Sequence, residues 1–200
     1  MSIKTIIVLA VLAVLIGYPI YAYNRMVTFR NRVRNAFAQI DVQLQRRYEL
    51  IPNLVENAKA YLEHERETLT GVIEARNQAK AAEEQAAKQP ENGAAMQQLA
   101  QAEGGLSQAL GRLFALNEDY PDLKADQTIQ ELSDELTATE NKVAFARQHF
   151  NDMVMSYNMY RESFPNNLIV GPLGFQAAEQ LEPDNKEQIR EPVRINMTSD

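Results

Sequence analysis

From Thr5 to Asn24 the chain carries no charged residue, and most of its positions are Ile, Val, Leu or Ala. At about 1.5 Å per residue a helix over this run spans roughly 30 Å, the thickness of a bilayer core. Tyr18, Tyr21 and Tyr23 cluster at its far end, where an aromatic belt sits at a membrane interface. A signal peptide is the competing reading. The best small-residue site ends at Ala22 with Ile20 two positions before it, a poor match to the small-x-small cleavage pattern. Residues 1–24 therefore read as an uncleaved transmembrane anchor, and everything after them must fold beside a membrane. Lys4 precedes the run, while Arg25, Arg30, Arg32 and Arg34 follow it with no acid before Asp41. The positive-inside bias favours a cytoplasmic domain, but charge on both flanks leaves the side undecided.

The anchor leads without a break into a second pattern. Phe29, Val33, Phe37, Ile40, Leu44, Tyr48, Ile51, Val55, Ala58 and Leu62 recur at spacings of three and four, one face of a helix. Pro52 lies inside this pattern and predicts a kink or short break near Glu49–Pro52, because it lacks a backbone donor and crowds the preceding turn. Glu65–Lys88 predicts a second helix whose end, AKAAEEQAAK, has little to bury and should protrude. Ala94–Leu116 predicts a third, with Gly104-Gly105 marking a close crossing or a flexible point. Asn117–Lys124 reads as a loop, with Asp122 or Asp126 available to cap the next helix. From Ile129 to Phe164 apolar residues alternate between spacings of three and four, the 3.5-residue period of a packing seam. That predicts a helix over Gln127–Glu162.

The expected fold is all-α: an N-terminal transmembrane helix, then an antiparallel four-helix bundle over residues 25–175 with long first and last helices. Leu168–Phe175, broken by Gly171, Pro172 and Gly174, is too short to span a bilayer and is expected to pack on the bundle end or dock on a partner. Residues 176–200 form a polar tail expected to be extended or disordered.

Function is much less legible. The chain has no cysteine and two histidines. His64-Glu65 begins a zincin-like pattern, but Thr68 stands where the second ligand belongs. His149 has Ala146 rather than an acid three residues before it, so the Glu-x-x-His pair of di-iron bundles is absent. There is no Gly-x-Ser-x-Gly and no Walker loop. No acidic pair is evident on an apolar background that would raise a pKa. The net charge of −7 argues against wholesale nucleic-acid binding. No cofactor, metal or catalytic residue is expected. Asn35, Gln39, Asp41, Arg46, Arg47, Glu140, Asn141 and Arg147 stand beside the apolar stripes and are the candidate register or partner-contact residues. Thr139, Glu140 and Asn141 would meet Asn35, Gln39 or the arginines in a buried network.

Several blocks occur together in order: Tyr23-Asn24, RNRVRNAFAQIDVQLQRRYELIPNLVE from Arg30 to Glu56, His64-Glu65, and Tyr120 through Lys124. They continue with Thr139-Glu140-Asn141, Ala144 through Arg147, Phe150-Asn151, Tyr157-Asn158, Phe164-Pro165 and Gly174-Phe175. The set resembles the LemA family of bacterial membrane proteins over almost the whole chain. That family usually has Trp where this chain has Phe37 and Tyr where it has Phe150, so each change keeps an aromatic ring. The resemblance implies one N-terminal transmembrane helix, an antiparallel helical bundle, and no established molecular function. Some relatives resemble lipoproteins, which would put the bundle outside the cytoplasm, whereas this chain lacks the lipidated cysteine. The expected role is a membrane-anchored scaffold or interaction protein of the bacterial envelope, held in the inner membrane. Its expected partners are the lipid bilayer and either a second copy or another membrane protein, engaged through the packing seam and the Arg30–Arg47 face. The alternative is a lipid- or small-ligand-binding sensor with a pocket lined by Tyr157, Tyr160 and nearby arginines.

Overall fold

The computed structural model describes residues 2–182, with backbone only for 117–119. Six helices follow one another: α1 Ile3–Ala58, α2 Arg66–Ala86, α3 Gly93–Asp119, α4 Pro121–Ala125, α5 Gln127–Glu162 and α6 Asn166–Ile169. No strand occurs among the described residues. Anchor and first bundle helix are one element. The 56 residues of α1 would extend for about 84 Å, and the part up to Gly17 is exposed throughout. It is long and apolar enough to cross a membrane.

The break expected at Pro52 does not occur; α1 stays helical through it. Proline at position 52 cannot donate to the carbonyl of Tyr48 four residues back, which leaves that oxygen without its helical partner. Arg76 of α2 supplies the missing donor: its Nε bonds the Tyr48 carbonyl at 3.0 Å. Tertiary contact thus replaces the lost backbone bond. Arg76→Met is expected to cost about 1–3 kcal/mol by orphaning that carbonyl, and Arg76→Met with Pro52→Ala to recover most of it, because alanine restores the amide. Denaturant melts of the four variants in detergent measure the coupling; additive losses would contradict it.

α5 lies antiparallel on α1. Phe37 and Phe150 meet edge to face at 5.9 Å between ring centroids, and Phe29 stacks on Tyr160 at 5.1 Å. The helix spans the predicted residues, and Asp126 caps it by accepting from the Ile129 amide at 3.0 Å. Ile129, Leu136, Val143, Phe150 and Tyr157, each seven residues apart, are all buried. Phe164 would continue that series, but α5 ends at Glu162 and the ring is 80% exposed.

α2 and α3 form a second antiparallel pair, with α2 against α1. The end of α2 does not protrude as expected. Ala79, Glu83 and Ala86 are buried, because alanines let the helix lie close and Glu83 finds polar partners on α1. Asn92 caps α3, which runs unbroken through Gly104-Gly105. A side chain at Gly105 would meet nothing within 4 Å, so that glycine makes no close approach to a neighbour. The expected loop at Asn117–Lys124 is largely helical: α3 continues to Asp119, Tyr120 interrupts, and Pro121 opens α4 at a first-turn position that needs no donor.

After α6 the chain turns back along α5. The tail was expected from Gln176 as extended or disordered; residues 176–182 carry no helix or strand and pack along α5 as a strap, and 183–200 lie outside the described residues. Asn158 grips both backbone groups of Ala178, donating at 2.8 Å and accepting at 3.0 Å. Asn151 does the same to Leu181 at 3.2 and 2.9 Å. The spacing explains the fit. Two helical turns advance about 10.5 Å, close to the roughly 10 Å reach of three residues of extended chain. Phe175, Ala178 and Leu181, every third residue, point inward.

Candidate functional site

Asp41, Gln45 and Tyr48 recur at spacings of four and three, so one stripe of α1 faces α2 and α3. Arg47 lies beside it and is only 4% exposed. Its guanidinium bonds Glu103 of α3 at 2.7 Å, Ser107 of α3 at 3.0 Å and Glu140 of α5 at 2.9 Å. Tyr48 donates its hydroxyl to the other oxygen of Glu103. One arginine therefore ties three helices together.

Burial pushes the Glu103 carboxyl above its ordinary pKa, and Arg47 opposes that rise. Burial likewise raises the Tyr48 phenol, with the Glu103 charge adding to it. A phenol held neutral by such surroundings is a donor, not a base. One and two turns toward the anchor lies a second polar group. Glu83 of α2, 1% exposed, accepts from Gln45 at 2.9 Å and shares a hydrogen bond with Asp41. Burial first, then Asp41, pushes its pKa up to about 8. The expectation that no acid pair sits on an apolar background is overturned here.

The candidates from the sequence divide accordingly. Arg47 and Glu140 meet, and Asp41 joins a buried pair, but with α2 rather than α5. Arg46 is exposed and bonds Glu135 of α5 at 3.0 Å. Asn35, Gln39 and Asn141 are exposed, and Arg147 is half-buried outside the cluster. Thr139 is buried, but its hydroxyl donates at 2.8 Å to the Glu135 carbonyl of its own helix. Of the expected network across the α1–α5 seam, Arg47–Glu140 forms beside the exposed Arg46–Glu135 pair, while Asn35, Gln39 and Asn141 face water and Thr139 bonds its own backbone.

Glu83, Glu103 and Tyr48 were not among the candidates. A signal for the two acids exists. Leu99, Glu103, Leu106, Leu110 and Leu113 form a continuous three-four stripe, and Ala79, Glu83 and Ala86 form another. An acid standing on a core stripe must be paired or protonated.

The Tyr157–Tyr160 pocket is filled from within. Tyr157 donates to the Gln176 carbonyl of the strap at 2.8 Å, and Tyr160 lies on Phe29. An open groove runs instead along the α1–α5 seam, lined by Ala38, Gln39, Val42, Lys142, Phe145 and His149. Val42 is 63% and Phe145 74% exposed there.

The chain is similar over 201 aligned residues to magnetosome protein MamQ 2 of Paramagnetospirillum magneticum, at 29% identity, covering 90% of this chain and 72% of the relative. Magnetosome protein MamQ of Magnetospirillum gryphiswaldense is 27% identical over 78% of this chain and 63% of its own length. The family model described as LemA matches residues 36–197, which carry the buried arginine, both acid clusters and the strap. This protein belongs to the LemA family.

Proposed function

We propose that the protein is a membrane-anchored helical scaffold, without enzymatic activity, that works by binding a second copy of itself or another membrane protein. The observation that carries this is the open seam of α1 and α5, where Val42 and Phe145 present apolar surface to water beside Lys142 and His149. Contiguous exposed apolar surface with a polar rim is what protein contacts use. The interior supports the same reading. Arg47, Glu103, Tyr48, Glu140 and Glu83 are bonded to one another or to neighbouring helices, so they hold register rather than await a substrate. The relatives' names assign them to a cellular structure, not to a reaction. The uncharged start of α1 is the anchor, in the bacterial inner membrane, and the arginines after it favour a cytoplasmic bundle.

The natural chain has no cysteine, so single cysteines report cleanly. Phe145→Cys and Val42→Cys, tested in membranes with a short thiol cross-linker, should give a dimer or one discrete cross-linked partner. Gln78→Cys, on the exposed side of α2, should not. If both groove cysteines stay monomeric and unlinked, the proposed role of this face is wrong.

A further inference from the structure

The turn between α5 and the strap has its polarity reversed for a loop in water. No charged residue lies between Glu162 and Glu179. Phe164, Leu168 and Leu173 are 80%, 67% and 47% exposed, whereas Asn166 is 4% exposed. That buried amide is fully engaged: its Nδ2 donates to the Tyr160 carbonyl and the Ser163 hydroxyl, and its Oδ1 accepts from Tyr18 at 2.8 Å. Apolar rings and chains face out and the amide faces in.

The backbone matches. The amides of Asn167, Leu168, Val170, Leu173, Gly174 and Phe175 all donate to carbonyls within residues 163–171. Pro165 and Pro172 have no amide hydrogen to satisfy. Closing these six donors within the turn lowers the cost of bringing its backbone to the headgroup boundary, short of the hydrocarbon core.

Its position supplies the occupant. The Tyr18–Asn166 bond and the edge-on contact of Tyr23 with Phe175, at 5.5 Å, hold the turn against the uncharged part of α1. Tyr18 lies seven residues before Arg25, about 10 Å along the helix axis. The turn therefore sits on the anchor side of the basic collar. In that collar Arg30 lies over the Phe175 ring at 5.3 Å, Arg25 lies over Phe29 at 5.1 Å, and Arg161 donates to the Phe175 carbonyl at 3.0 Å. Glu162 is the acid at this level, beside Arg161 at 3.7 Å. Ser163 and Asn167, exposed but uncharged, suit the headgroup layer.

We infer that residues 163–174 form a second membrane contact, in which Phe164, Leu168 and Leu173 enter the same leaflet as the end of the anchor, with the arginine collar at the headgroups. Two attachments in place of one hold the bundle at a set angle to the bilayer. The proposal rests on reading the start of α1 as the membrane anchor, and its test separates the two.

The chain has no tryptophan, so each introduced indole is the sole reporter. Four full-length variants, Leu12→Trp, Phe164→Trp, Leu168→Trp and Gln78→Trp, are placed in vesicles of phosphatidylcholine and phosphatidylglycerol with or without lipids brominated high on the acyl chain. Phe164→Trp and Leu168→Trp should emit blue-shifted and lose intensity to the brominated lipid, Leu12→Trp should emit blue-shifted, and Gln78→Trp, exposed on α2, should do neither. Leu12→Trp is read with lipids brominated deep in the chain as well. If it is buried in lipid while both turn variants emit as Gln78→Trp does, the turn proposal is overturned and the anchor stands. Blue-shifted turn variants that brominated lipid leaves unquenched would mean that protein covers the turn, which also overturns it. A water-exposed Leu12→Trp removes the anchor reading and the proposal with it.

Discussion

Arg47→Met should lower the stability of the bundle by about 3–5 kcal/mol, the range for removing one partner of a buried charge pair. The loss comes less from the missing bonds than from what remains. Glu103 is buried enough that its charge needs the guanidinium, and without it the carboxyl must ionise unpaired or take up a proton. Arg47→Met with Glu103→Gln should recover most of the loss, since the amide carbonyl can still accept from Tyr48. Arg47→Lys should rescue only partly, because one ammonium cannot reproduce the fork that reaches Glu103, Ser107 and Glu140. Glu140→Ala should cost about 1 kcal/mol or less, because that side chain is 51% exposed. Denaturant unfolding of the full chain in detergent, followed by helical circular dichroism, ranks the variants. A neutral Arg47→Met would mean that the three-helix clamp contributes nothing.

Stability should also fall as pH rises between about 4.5 and 8. Glu83 holds its proton to about pH 8 in the folded chain, against 4.5 as its ordinary value. Across that window the folded state carries more protons than the unfolded one. The derivative of unfolding free energy with pH is then negative, at most about 1.4 kcal/mol per pH unit from one group. Below the window Glu83 contributes no slope, and above it the loss is complete. Glu83→Gln should flatten most of this dependence and make the protein more stable than the parent at pH 9. Glutamine can still donate to Asp41 and accept from Gln45. A residual slope of the same sign is expected from Glu103, whose pKa is also raised. Melting temperatures of both chains from pH 5 to 9 decide it; parallel curves would remove Glu83 as the source.

Both predictions concern charged residues on core stripes: Arg47 beside Leu44 and Ile51, Glu83 between Ala79 and Ala86, Glu103 between Leu99 and Leu106. An apolar stripe alone permits neighbouring helices to slide by a turn, since one Leu layer resembles the next. A slide of about 5.4 Å would strand Glu103 from Arg47 and Arg76 from the Tyr48 carbonyl. Losing those partners would penalise such a slide, a use for which buried polar groups have the best precedent.

Local chemistry was sufficient for the elements themselves. The uncharged run to Asn24, the heptads from Ile129 to Tyr157 and the Asp126 cap each depend on residues within a few turns, so the anchor, the apolar face that continues from it and the full extent of α5 could be read from the chain. The polar partners depend on which helix lies opposite, which no local pattern encodes. Asp41 meets α2 instead of α5 for that reason, and Pro52 does not break α1 because Arg76 arrives from elsewhere in the chain. The strap shows the same division. Its composition reads as a polar tail, and only the α5 surface, with Asn151 and Asn158 two turns apart, converts it into a bound strand. The sequence by itself determined the helices, their apolar faces and the membrane-length segment, because periodicity and propensity act at short range. The tertiary structure alone decided the charge pairs, the rescue of the proline carbonyl, the docked strap and the outward-facing turn, because each joins residues far apart in the chain whose partners exist only once the helices have packed.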